Sequence, residues 1–186
     1  MSLTIQQAVE PLDYVDRLTP IYAAAFAPPP YNKTPRESMA FAVDFNSMVK
    51  RADFRLMVAV DNDIFPKGKI VGFTYGYHLQ PEYGWQQVLG PPLEKVGHGA
   101  WLTDAYCLAE LALLPSYWGM GLGGRLHDAL FAQLSYSHFI LSTMQNDETN
   151  AYQMYKKRGW IDLLEHYLVS AVDREYRVMG KRGHAT

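Results

Sequence analysis

The chain has 186 residues, 48% of them apolar, enough to bury one hydrophobic core and too few for two full domains, so a single domain over residues 1–186 is expected. Seventeen Lys and Arg against nineteen Asp and Glu leave a formal charge of -2 with no basic block, which argues against a nucleic-acid partner. There is no basic-then-apolar leader and no stretch long and uncharged enough to span a bilayer, Cys107 has no partner for a disulfide or a thiolate metal site, and the six histidines lack metal-ligand spacing; a soluble cytoplasmic protein with no membrane partner and no structural metal is expected.

Residues 3–8, LTIQQA, read as a short first strand, and apolar residues at helical spacing over 12–27 predict a helix that stops at Pro28, Pro29 and Pro30. Thr34, with Pro35 next and Glu37 three residues on, is a capping-box start for a second helix over 35–51. The period then changes: FRLMVAV (54–60) and KIVGFTYGYHL (69–79), separated by a turn-rich segment, predict an antiparallel hairpin. Residues 81–100 have turn residues without a sustained period and read as an insertion or lid. A long strand over 101–114 leads into a glycine-rich turn and a helix over about 122–135, followed by a strand at 139–144. DETNAYQMYKKRG predicts a short helix capped by Asp147 or Thr149 and stopped by Gly159, and WIDLLEHYLVSA and EYRVMGK complete the chain as two strands. This order is mixed α/β, largely antiparallel in its first half, with a β-loop-α-β unit at the centre.

The turn SYWGMGLGGRL (116–126) is the most informative stretch. A strand that ends in bare backbone and opens a helix presents unpaired N–H groups at the positive end of the helix dipole, a ready site for phosphate oxygens. The spacing of Gly119, Gly121 and Gly124 also satisfies G-x-G-x-x-G, but the acidic residue a dinucleotide fold needs about twenty positions later is replaced by ILSTM, and no Gly-Lys-Ser/Thr follows to make a Walker loop.

ELALLPSYWGMGLGGRLHDALF resembles the acetyl-CoA signature of the GNAT acyltransferase superfamily, with Gly121 and Gly123 as its G-x-G pair and Leu113 before the Pro115 step. NAYQMYKKRGW resembles the second signature of that family, carried by Ala151, Met154, Tyr155, Gly159 and Trp160. The resemblance spans about residues 54–180. It implies a GNAT-like fold: a mixed, mostly antiparallel sheet of six to seven strands flanked by about four helices, with acceptor-side helices in 1–52 and a coenzyme A core in 53–186. Trp118 stands where Gln or Arg is usual, and Glu148 where many members have Asn, with Asn150 as its substitute.

The implied activity is transfer of an acetyl group from acetyl-CoA to a primary amine of a small molecule or peptide, by direct attack in a ternary complex; the alternative is a non-catalytic coenzyme A sensor. The resemblance implies cofactor contacts from Trp118, Gly119, Met120, Gly121, Leu122, Gly123, Gly124 and Asn150, and exposure of main-chain groups of Leu111 and Leu113 to the pantetheine arm and thioester. It also makes Tyr155 the donor to the leaving sulfur, a reasonable role for a phenol that is protonated at neutral pH. Glu110 is the carboxylate of the central strand's second half and a candidate general base, although alternation puts it on the face opposite Leu111 and Leu113; Asp104 is a second candidate. Cys107 reads as an inert strand cysteine. Phe26, Tyr31, Tyr75, Tyr77 and Trp85 are candidate acceptor contacts, and the lack of an acidic cluster argues against a polycationic acceptor. A monomer or homodimer is expected.

Overall fold

The computed structural model describes residues 2–66, 68–82, 84–168 and 174–183, apart from the side chain of Trp85. Seven strands and five α-helices follow in the order β1 (Leu3–Gln7), α1 (Val15–Phe26), α2 (Pro35–Met48), β2 (Arg55–Asp61), β3 (Lys69–Leu79), α3 (Gly84–Lys95), β4 (Ala105–Leu113), α4 (Leu122–Phe131), β5 (His138–Met144), α5 (Asn150–Lys157), β6 (Ile161–Leu168) and β7 (Glu175–Arg182). The strands form one sheet in the order β1-β2-β3-β4-β5-β7-β6. β1 with β2, β2 with β3, β5 with β7 and β6 with β7 pair antiparallel, while β4 and β5 run parallel as the β-loop-α-β unit requires. None of the described helices is long and apolar enough to cross a membrane. The chain divides into two compact units, residues 1–76 with 110–132 and residues 77–109 with 133–186.

In the first unit, α1 and α2 bury a run of aromatic rings against the hairpin. Tyr22 stacks on Phe41 at 4.4 Å, Phe41 meets Phe73 of β3 at 5.6 Å, and Phe45 meets Tyr75 at 5.4 Å. Helix α2 starts where the sequence indicates: Thr34 Oγ1 accepts from the Glu37 amide, and the Thr34 amide donates to the Glu37 carboxylate at 2.7 Å. It ends three residues earlier than the predicted 51. Helix α4 likewise ends at Phe131 rather than 135, because Gln133 adopts φ 62° and the Arg55 guanidinium takes the carbonyls of Leu130 (3.1 Å) and Ala132 (2.6 Å).

In the second unit, two expectations are corrected. The stretch read as a lid contains α3, despite Pro91 and Pro92 inside it. Leu89 and Leu93, four residues apart, are fully buried on one face, and Gly97 closes the helix with its amide on the Glu94 carbonyl and the His98 amide on the Leu93 carbonyl. The strand read as starting at Trp101 starts at Ala105, because Gly99–Leu102 forms a 3-10 turn. Asp104 is then held at φ 47°, its carboxylate accepting from the Ser137 amide and hydroxyl at 2.8 and 2.6 Å. Helix α5 is capped by the Thr149 hydroxyl and ends at Lys157, with Gly159 at φ 80° just beyond it as the stop the sequence predicts. The predicted strand over 160–171 is seen as Ile161–Leu168, and 169–171 lie outside the described residues.

The capping box is the local interaction most directly exposed to test. Thr34→Ala removes the bond to the Glu37 amide and is expected to destabilise the protein by about 1 kcal/mol in urea unfolding; no change in midpoint would mean that α2 is held by its ring contacts alone.

Candidate active site

The glycine turn lies in the first unit. It begins with a 3-10 turn at Pro115–Tyr117 and reaches α4 through Gly119 (φ 76°) and Gly121 (φ 73°), both in the left-handed region that disfavours a side chain. A Cβ at either position would stand in open space, with no atom within 4 Å. The amide of Arg125 bonds the Gly121 carbonyl at 3.2 Å; ahead of it, no acceptor meets the amides of residues 119–124 among the described residues, and no side chain caps the helix. Strong donors therefore converge, unpaired and unobstructed, at the positive end of a helix dipole. That arrangement fits a diphosphate.

Two side chains hold the turn in place. The Tyr117 hydroxyl donates to the buried Asp61 carboxylate at the end of β2, at 2.7 Å, and that bond together with burial pushes the phenol above its usual range, so it stays a donor. Trp118 does not replace the missing Gln or Arg as a phosphate donor: its indole N–H turns back to the Leu113 carbonyl at 3.0 Å, leaving the ring 40% exposed. That carbonyl keeps a second lone pair. Leu113 approaches β3 at Gly72, where any Cβ would overlap its side chain. Met120 is half exposed and Leu122 buried.

On β4, Glu110 is half-buried, its carbonyl accepting from the buried Thr74 hydroxyl at 2.8 Å. Burial raises its carboxyl from the ordinary 4.5 to about 7, against the opposing pull of the Lys33 ammonium and a hydrogen bond from the Leu111 amide. Lys33, in the loop after α1, donates to the Tyr22 hydroxyl and lies 4.5 and 4.7 Å from the ring centres of Tyr22 and Phe26. Tyr31 packs edge-on to the buried Phe26 at 4.8 Å.

The remaining candidates fall elsewhere. Tyr75 is buried within a cluster with Phe45, Phe54 and Phe73, so its ring packs the core. Tyr77, in the second unit, is also buried, and the side chain of Trp85 is not among those described. In that unit the two hydrogen bonds from Ser137 hold the Asp104 carboxyl below its usual range, which makes it a poor base. Tyr155 on α5 is buried beside Trp160, ring centres 5.9 Å apart, and Asn150 is exposed at the first position of the helix. The α5 helix is anchored by the buried Arg177, whose guanidinium lies 4.0 Å from the Tyr152 ring centre and bonds Asp147 and Asp162.

Residues 17–160 match the model of the Acetyltransferase (GNAT) family. The chain belongs to that family. A GCN5-like protein acetyltransferase of Mycobacterium tuberculosis is 30% identical to this GNAT chain over 119 residues, 60% of this chain and 58% of the relative, so the chain spans little more than half the relative's length. Among solved structures, a histone acetyltransferase HPA2 and related acetyltransferase from Corynebacterium glutamicum has TM-score 0.65 at 19% identity, covering 100% of this chain and 99% of that one. The ribosomal-protein-S18-alanine N-acetyltransferase of Escherichia coli has TM-score 0.63 at 16% identity, covering 97% and 94%. A mosquito arylalkylamine N-acetyltransferase like 5b has TM-score 0.65 at 16% identity, covering 97% and 100%. These structures share the GNAT fold.

Lys33, Asp61 and Gly72 of this GNAT chain carry no local motif, and Tyr117 lies inside the glycine signature without being one of the positions that define it. Only the aromatic run around Lys33, and the glycine inside an apolar strand, hint at them. The Asp61–Tyr117 pair is open to a direct test: Tyr117→Phe removes one hydrogen bond from a buried carboxylate and is expected to cost about 1–3 kcal/mol in chemical denaturation. An unchanged stability would mean that the pair does not hold the turn.

Proposed function

We propose that this chain is an acetyl-CoA-dependent N-acetyltransferase acting on a primary amine of a small molecule or peptide by direct attack in a ternary complex. The observation that carries the reading is the array of acceptor-free amides over residues 119–124 in a chain of this family. The backbone of the turn would hold the diphosphate, with no side-chain donor from Trp118, while the Leu113 main chain would face the pantetheine arm, as the family signature implies. Acetyl-CoA supplies the acyl group as a thioester, activated for attack.

Glu110 would act as general base. With its carboxyl near 7 it is substantially ionised at neutral pH yet basic enough to take a proton from an ammonium, directly or through water, as the nitrogen closes on the carbonyl carbon. The N–C bond forms, the C–S bond breaks, and the departing thiolate takes its proton from Tyr155, a role assigned from the match to the second family signature. A raised carboxylate serves no purpose in a passive coenzyme A sensor, which favours the catalytic reading. The names of the relatives span protein and arylalkylamine acceptors and support either kind of amine.

Two measurements test this. In isothermal titration, wild type binds acetyl-CoA and Gly121→Glu weakens binding about tenfold or more, because the new side chain strains a left-handed backbone and sets a carboxylate against the anion; undiminished affinity contradicts the turn as the diphosphate site. Wild-type kcat/KM rises with pH through about 7 as Glu110 ionises, and Glu110→Gln flattens that limb and lowers the rate about 10²- to 10⁴-fold. Stability runs the opposite way. The fold favours the protonated carboxyl, so this contribution is full below 4.5 and is lost as pH rises through about 7; Glu110→Gln is therefore expected to melt higher than wild type above pH 7, a gap that closes toward pH 4.5. A pH-independent difference in melting would contradict the raised carboxyl.

A further inference from the structure

We propose that Arg177 is the positioning residue for the thiolate donor: its guanidinium fixes where α5 presents the Tyr155 hydroxyl, and so governs how well the departing sulfur receives its proton. The inference rests on the reading of Tyr155 as that donor and names the side chain that holds it in place.

Arg177 lies on β7, which runs between β5 and β6, and it faces Thr143 of β5. On the β6 side Leu164 faces Val178 and Tyr167 faces Tyr176, so Arg177 stands against two residues, Glu165 and His166, at a bulge. Its buried guanidinium bonds the Asp147 carboxylate in the loop before α5 and, at 3.2 Å, the Asp162 carboxylate near the start of β6. It also lies 3.7 Å from the Glu165 carboxylate and sits over the ring of Tyr152, 4.0 Å from the ring centre. One side chain thus joins the segment that enters α5, the helix itself and the strand that leaves it.

These contacts bear on α5 from both ends. Asp147 stands two residues before the Thr149 cap, and its carbonyl accepts from the Gln153 amide group at 2.8 Å. The Tyr152 hydroxyl and the Lys156 ammonium both donate to Asp162, at 3.1 and 3.0 Å. Asp162 lies two residues beyond Trp160, whose ring centre is 5.9 Å from that of Tyr155 and whose amide bonds the Tyr155 carbonyl at 3.2 Å. Tyr155 follows Tyr152 by three residues, on the same face of the helix, and both are buried. Eight residues of helix are too few to hold themselves in place, so these ties decide where the phenol stands.

Stability alone is a weak reason for such an arrangement. A buried cation among carboxylates gains little over apolar packing, whereas a planar, two-armed group sets the directions of the segments it joins. Direction is what a proton donor needs. A hydrogen bond weakens steeply as it bends or lengthens, and a misplacement of about 1 Å at a reacting atom is felt in the rate.

The test reads the sulfur itself and needs no acceptor: coenzyme A is bound to the protein and its thiol is titrated by the ultraviolet difference absorbance of the thiolate. A phenol that donates to the sulfur stabilises the thiolate, so Tyr155→Phe is expected to raise the pH at which the bound thiol ionises by about one pH unit or more. Arg177→Lys keeps the charge and loses the planar fork. It is expected to raise that pH comparably, with no further rise in the double variant and with affinity for coenzyme A at neutral pH within about twofold of wild type. Asp162→Asn leaves the guanidinium in place and weakens the same clamp; it is expected to move the thiol in the same direction, and it decides the matter if circular dichroism shows Arg177→Lys unfolded. A bound thiol that ionises as in wild type in the folded variant, or effects of Arg177→Lys and Tyr155→Phe that add, overturns the proposal. A thiol unmoved by Tyr155→Phe overturns the reading of Tyr155 as donor and the proposal with it. Failure of the wild type to bind coenzyme A at all, measured by titration on the same preparation, would instead overturn the acetyltransferase reading on which both depend.

Discussion

Backbone amides without acceptors are costly unless water or a ligand satisfies them, and the turn between β4 and α4 holds such amides together. Everything around the turn keeps them aimed outward. Gly119 and Gly121 adopt backbone angles that turn the chain without placing a side chain in front of the amides. Tyr117 ties the start of the turn to Asp61, and Trp118, the next residue, turns its indole N–H to the Leu113 carbonyl. The absence of the usual Gln or Arg side chain therefore leaves the phosphate-binding principle intact, since it relies on main-chain N–H groups.

The same unit accepts an electrostatic cost at Glu110. Burial opposes ionisation, while Lys33 and the Leu111 amide favour it, and the balance sets the carboxyl near neutrality rather than in the usual acid range. A carboxyl raised this way destabilises the fold as it ionises near neutrality, the pattern expected where function and stability compete. The Lys33 ammonium limits how far burial raises the Glu110 carboxyl.

What the sequence revealed follows the range of the forces involved. The capping box at Thr34 and Glu37, the Gly159 stop and the glycine turn were legible because each is specified within a few residues. Helix α3 was not: Gly90, Pro91 and Pro92 erase the local signal, and the helix rests on burial of Leu89 and Leu93, a tertiary effect. The start of β4 was misplaced because Asp104 is turned by Ser137, 33 residues away. Tyr75 and Tyr77 of β3 were candidates for an acceptor pocket, but residue type alone does not separate a pocket wall from a core, and both rings are buried. The Asp61–Tyr117 bond joins residues 56 apart and leaves no trace in any short window.

Backbone amide resonances during a titration with coenzyme A test the central claim most directly. The account predicts large, saturable shifts at the amides of 119–124, accompanied by the Trp118 indole proton and Leu113. Saturable binding with those amides unmoved, and the shifts concentrated elsewhere in the chain, would contradict it.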